Sequence, residues 1–167
     1  MNYKTDTKKG KYTVINKNKY FGKKNPVYKS GWERQVFYMM DHNPHILKWG
    51  YETVEIYYAN PLKGKFTTYY PDVYCHIKDI NGQDQQFLIE IKPAKMCVMP
   101  NKPKVPKTAK GIDGQRYKKA LMRYQSEVAE YMINMAKWEA AQRWCLKHKV
   151  RWLILNDANS SGLFLRK

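Results

Sequence analysis

The sequence predicts an α/β domain in which a central sheet of about four strands is flanked by helices, in the order αβββαβ. Three observations carry this expectation. Residues 30–41 form a capped, amphipathic helical pattern, and three strand-like segments separated by turn signals fill residues 51–92. Residues 115–148 then place apolar side chains at three- and four-residue steps, ahead of a last β-rich run, Val150-Arg151-Trp152-Leu153-Ile154-Leu155. With 167 residues the chain has room for one domain with a substantial core and too little for two. Five Trp and fourteen Tyr supply large side chains to pack it.

The formal net charge is +17, far beyond what solubility requires. A field of that sign draws a polyanion, foremost nucleic acid. A membrane surface is the other candidate, but no stretch approaches the ~20 apolar residues that span a bilayer. The opening Met1-Asn2-Tyr3-Lys4 also lacks the apolar segment of a signal peptide, so a cytosolic protein is expected. Cys75, Cys97 and Cys145 are widely spaced and odd in number, which reads as buried small hydrophobes and not as a zinc site or disulfides. His42, His45, His76 and His148 form no ligand pattern.

Residues 1–25 read as a basic arm. Eight lysines, among them Lys23 and Lys24, face the single acid Asp6, and the arm is expected to be loosely held, with Tyr12, Val14, Ile15, Tyr20 and Phe21 as anchors. Two readings stay open, a solvating tail and, preferred given the charge elsewhere, an arm whose lysines contact DNA phosphates without sequence preference. Residues 26–156 then form the single domain. Ser30 is placed to cap the first helix, with Glu33 completing a capping box, and Asn43-Pro44 ends it. Residues 51–58 alternate as a strand, and Glu52 falls at its start as a minor acid candidate. The turn Asn60-Pro61-Leu62-Lys63-Gly64 leads into a second strand, residues 65–77. Pro71 cannot donate to a ladder, so a bend or bulge is expected beside it. Asn81-Gly82 turns the chain into a third strand, residues 87–92.

A basic connection, residues 93–114, follows with four prolines among Lys95, Lys102, Lys104, Lys107 and Lys110. Loops this long are either functional or disordered, and both readings stay open: a loop that closes over a nucleic-acid backbone, or a self-repelling crossover. The long helical segment begins with Lys118, Lys119 and Arg123 facing a ligand or water, and its aromatic and Met stripe reads as core. Residues 157–167 are a short tail.

The chemistry concentrates on the second and third strands. A hairpin about Asn81-Gly82 brings Asp72 beside Glu90, and alternation puts Glu90 and Lys92 on one strand face. Phosphodiester hydrolysis needs a hard divalent cation held by oxygen ligands, which Asp72 and Glu90 can supply. Lys92 can orient or activate the attacking water and offset charge in the transition state. Glu33 has two readings. It lies on the helix face shared with Val36, Phe37 and Met40 and can join the acids as a further ligand, or it serves only as a capping carboxylate worth ~1 kcal/mol.

Pro71-Asp72 followed by Glu90-Ile91-Lys92 resembles the PD-(D/E)xK motif of the restriction-endonuclease-like superfamily, and the element order is similar to that superfamily's core, a mixed central sheet. More specifically, Ser30-Gly31-Trp32-Glu33-Arg34, Asn43-Pro44, Trp49-Gly50-Tyr51-Glu52, Tyr70-Pro71-Asp72, Glu90-Ile91-Lys92-Pro93 and Lys137-Trp138-Glu139-Ala140-Ala141 resemble the head-completion nucleases of tailed phages. A more distant similarity is to the endonuclease subunit of heteromeric transposases. The likeness runs over most of the chain. Val73 departs from the aromatic expected after the aspartate, at a packing position.

The resemblance implies a Mg2+-dependent deoxyribonuclease, with Mn2+ as a substitute, that trims or cuts packaged DNA before heads join tails. It implies Asp72, Glu90, the backbone carbonyl of Ile91 and the helix acid Glu33 as metal ligands, and Lys92 as the catalytic lysine. The implied partners are double-stranded DNA and the phage portal or head–tail connector, in the host cytoplasm during assembly or within the virion. Two alternatives stay open: a non-catalytic protein that binds DNA or the portal, and a recombination or transposition endonuclease on the same fold. Endo- and exonucleolytic cutting, and one metal or two, fit the residues equally.

Overall fold

The structure is a computed structural model that describes residues 9–79, 81–107 and 111–157. Two short strands, β1 (Gly10–Lys11) and β2 (Val27–Tyr28), pair antiparallel ahead of helix α1 (Gly31–His42). Its start realises the Ser30 half of the predicted capping box, while the Glu33 carboxylate reaches one residue further back than the box requires. The Glu33 amide donates to Ser30 Oγ at 3.2 Å, and Glu33 Oε2 accepts from the Lys29 amide at 2.6 Å. The apolar stripe of α1 buries Val36, Phe37 and Met40.

Six strands and one helix follow: β3 (Ile46–Tyr51), β4 (Ile56–Asn60), β5 (Lys65–Tyr69), β6 (Val73–Lys78), β7 (Asp84–Ile91), α2 (Gly111–His148) and β8 (Arg151–Leu155). The central sheet has the order β3-β6-β7-β8. The β3–β6 and β6–β7 pairs are antiparallel, while β8 lies parallel to β7. A parallel neighbour needs a long crossover, and α2 supplies it. The α/β class with a mixed four-stranded sheet is therefore the observed one.

The make-up of the meander differs from expectation. Residues 51–58 are not one strand. β3 ends at Tyr51, and Glu52 takes a φ of +48°, a left-handed conformation that turns the chain out of the sheet. Residues 65–77 also break, at residues 70–72, where Pro71 has no N–H for a ladder. The excised segment, β4 and β5, pairs as a separate two-stranded sheet, and residues 46–51 take the meander's first position. The long helical pattern forms one helix, which starts at Gly111. Between β7 and α2, Ala94–Met96 make a single 3-10 turn.

The chain divides into two compact units. Of the described residues, the first holds 9–56, 68–79, 81–91 and 141–155, and the second holds 57–67, 92–107, 111–140 and 156–157. The first contains the four-stranded sheet. Its core gathers Phe37, Met40, Ile46, Trp49, Val73, Leu88, Ile89 and Leu155, all essentially inaccessible to solvent. Phe37 stacks on Trp49 and meets Tyr12 and Tyr51 edge-on. Cys75 and Cys145 are buried as small hydrophobes, and burial pushes the Cys75 thiol up to about 12.

The described part of the arm, from residue 9, is pinned at the end of α1 by Asp41, which is 0% exposed. Its carboxylate accepts from the Tyr12 hydroxyl at 3.0 Å and from the amides of Ile15 and Asn16 at 2.8 and 3.0 Å. The Asp41 carbonyl accepts from Asn16 Nδ2 at 2.9 Å. Of the anchors expected there, Tyr12 and Val14 are buried, whereas Ile15 and Phe21 stand exposed.

Candidate active site

The break at Tyr70-Pro71 delivers Asp72 to the start of β6. Val73 pairs with Ile89 in the β6–β7 ladder, and one further step along both strands sets Asp72 opposite Glu90. Asp72 Oδ2 accepts from the Ile91 amide at 2.7 Å, which fixes the carboxylate against the end of β7. Glu90, 7% exposed, accepts at Oε2 from the Tyr69 hydroxyl at 2.5 Å. The two acids that the sequence singles out are thus brought together.

Their electrostatics are adverse. Burial and then the Glu90 charge hold the Asp72 carboxyl well above the usual carboxylate range. The Ile91 amide and Lys29 counter this only in part, and Glu33 adds to the rise. Burial, the Glu90 charge and the hydrogen bond to it likewise push the Tyr69 hydroxyl up, so Tyr69 stays protonated as a donor. Two carboxylates set side by side, Glu90 buried and Asp72 part-buried, form a place that a positive ion stabilises.

Glu33 is engaged at both oxygens by the cap, Oε2 by the Lys29 amide and Oε1 by Ser30 Oγ at 3.3 Å. Its charge nevertheless reaches Asp72 and Tyr51 and raises both. Lys92 directly follows β7 and belongs to the second unit, where its Nζ stands 3.9 Å from Glu130 Oε1.

One residue at the site escapes sequence reasoning. Tyr69, the donor to Glu90, carries no signal within the run Thr67-Thr68-Tyr69-Tyr70. Glu52, a minor candidate, donates its amide to the Asp72 carbonyl at 3.1 Å. Its carboxylate takes the Tyr51 hydroxyl at 2.9 Å and the Lys24 ammonium at 2.7 Å. Lys24 is therefore partly committed to an acid, whereas Lys23 is simply exposed. Lys95, Lys102, Lys104, Lys107, Lys118, Lys119 and Arg123 belong to the second unit, with Arg123 paired to Glu127 at 2.9 Å. Lys110 lies outside the described residues.

Among the described residues no three His, Cys, Asp or Glu side chains converge as a ready-made ligand set. The donor set still fits a hard divalent cation. Mg2+ is commonly held by one or two carboxylates, its remaining positions filled by water and phosphate oxygens. Asp72 and Glu90 are such a pair.

A mixed sheet with a helix before it and a helical crossover into its last strand is the architecture of the restriction-endonuclease-like class, and residues 43–157 match the family described as TnsA-like endonuclease N terminal. The chain is also 36% identical, over 149 residues, to the head completion nuclease of Enterobacteria phage T4, covering 89% of this chain and 90% of that protein. It belongs to the head-completion nuclease family. No solved structure matches it.

Proposed function

We propose that this protein is a divalent-metal-dependent DNA nuclease that trims or cuts packaged DNA during phage head completion. The observation that carries the reading is the Asp72–Glu90 pair, in which a buried Glu90 stands opposite a part-buried Asp72 and its charge raises the Asp72 carboxyl. Asp72, Glu90 and the Ile91 carbonyl hold the metal, and Glu33 contributes from α1. When bound, Mg2+, or Mn2+ in its place, polarises the scissile phosphate and makes a water more acidic. Tyr69 keeps the Glu90 carboxylate in one orientation, and the Ile91 amide does the same for Asp72. Lys92 orients the attacking water and offsets charge that builds on the phosphate.

The formal charge of +17 supports double-stranded DNA as the substrate, with lysines contacting phosphates and not bases. The protein partner in this reading is the portal or head–tail connector, met in the host cytoplasm during assembly. The deciding experiment is a Mg2+ titration of cleavage on supercoiled and linear DNA, wild type beside Glu90→Ala. Cleavage by the wild type that EDTA stops and Glu90→Ala lacks is the expected result. Metal-independent cleavage, or an active Glu90→Ala, would refute the reading, and loss of supercoiled plasmid separates endo- from exonucleolytic cutting.

Glu33 allows a sharper test. Glu33→Gln keeps an acceptor for the Lys29 amide, so its stability should stay within about 0.5 kcal/mol of wild type. Cleavage should nonetheless fall at least about tenfold, since the charge near Asp72 is gone. Unchanged cleavage would leave Glu33 a capping residue only. For the basic connection, Lys102, Lys104 and Lys107 changed together to Ala should reduce the slope of log affinity against log salt by about 0.9 for each phosphate no longer neutralised. An unchanged slope would remove this loop from the DNA interface.

A further inference from the structure

The second unit contains a cavity of about 300 Å³ between the turn after β7 and the α2 face that carries Arg123, Glu127, Glu130, Tyr131 and Asn134. One wall is apolar, formed by Met96, Val98, Pro100 and Tyr131. The other carries Asn134, 3% exposed, whose Nδ2 has no hydrogen-bond partner among the described residues. A buried amide left without an acceptor is costly, and its persistence in a cavity wall marks where a ligand's acceptor sits. At the rim, Lys95 and Arg123 are balanced by Glu127 and Glu130. The cavity is thus close to neutral inside a strongly basic protein, which disfavours a phosphate and suits a flat, uncharged group with donors and acceptors on its edge.

Its position says which group. Glu130 is both a wall of the cavity and the ion-pair partner of Lys92. A strand whose scissile phosphate lies at Lys92 therefore has a neighbouring nucleotide beside the opening. We infer that this cavity receives an unstacked nucleobase next to the cleaved phosphate, its face against Tyr131 and Met96 and its edge accepting from Asn134 Nδ2. The inference rests on the nuclease reading above. Unstacking is least costly at a strand end or a mismatch, so the pocket would direct the enzyme to ends and frayed pairs.

The test uses a duplex with one 5-iodouracil in a single-nucleotide overhang, bound in EDTA so that nothing is cut, irradiated, and mapped by mass spectrometry. Wild type should crosslink at Tyr131 or Met96. Asn134→Leu removes the donor, and Val98→Trp fills the cavity from an exposed position. Both should keep the wild-type circular dichroism and melting behaviour and, with every complex saturated with DNA, lose the crosslink at least fivefold. Crosslinks that map only elsewhere, or that persist undiminished in both variants, would overturn the pocket. Plasmid cleavage by the wild type is scored separately: a protein that cuts in Mg2+ yet fails the crosslink loses the pocket and keeps the nuclease reading, and one that neither binds nor cuts loses both.

Discussion

Asp72→Asn is expected to reduce DNA cleavage by more than about 10³-fold and, at neutral pH in EDTA, to raise the melting temperature. The loss follows from removing one of the two carboxylates set opposite each other across β6 and β7. The gain follows from linkage. Burial and the Glu90 charge raise the folded Asp72 pKa above its unfolded value, so the native state binds the proton more tightly. Its contribution to stability is then complete below the ordinary carboxylate range, near pH 4, and is lost as pH rises toward the elevated folded value. Asn has no proton to lose and flattens that decline. Mg2+ should reverse the order of the two proteins, since a site filled at one hundred times its Kd adds about 2.7 kcal/mol to wild type and nothing comparable to the variant. Thermal melts from pH 4 to 8, in EDTA and in Mg2+, measure all of this. Parallel curves for the two proteins would mean that Asp72 is neither strained by its neighbours nor a ligand.

Asp41→Ala should cost about 3–5 kcal/mol in denaturant unfolding, a large part of the 5–15 kcal/mol typical of a domain. The carboxylate accepts from the Ile15 and Asn16 amides and the Tyr12 hydroxyl, all at 3.0 Å or less. Truncation strands these donors in a buried setting and releases the arm from α1. Asp41→Asn, which keeps one acceptor oxygen, should lose less. DNA affinity should fall with Asp41→Ala as well, because Lys17, Lys19, Lys23 and Lys24 lose their fixed positions. A change below about 1 kcal/mol would mean that the arm is held by its aromatic contacts alone.

The parts of the site visible in sequence are those governed by short-range rules. A Ser–Glu spacing of three residues is a cap wherever it begins a helix, and Ser30 with Glu33 behaves accordingly. Antiparallel strands joined by a tight turn around Asn81-Gly82 must set residues before the first strand opposite residues late in the second, which is why Asp72 meets Glu90. Asp41 gives no such warning. An acid in the last turn of a helix reads as solvent-facing, and only the returning arm, twenty-five or more residues earlier in the chain, supplies the donors that bury it. Tyr69 is hidden for the same reason, its partner Glu90 lying twenty-one residues away.

The sequence by itself determined the class: an α/β domain with a capped first helix, a long crossover helix, and two acids and a lysine at the end of a hairpin, under a charge that seeks a polyanion. Periodicity, capping and turn chemistry are local, so they survive without knowledge of the fold. Tertiary structure alone decided which strands share the sheet. The alternation of residues 51–58 and 65–77 is the same whether they extend the meander or leave it, and the choice fell to Glu52 at φ +48° and to Pro71, which together expel β4 and β5. That expulsion also prepares the site, because the break at Pro71 is what presents Asp72 to Glu90 and to the Ile91 amide.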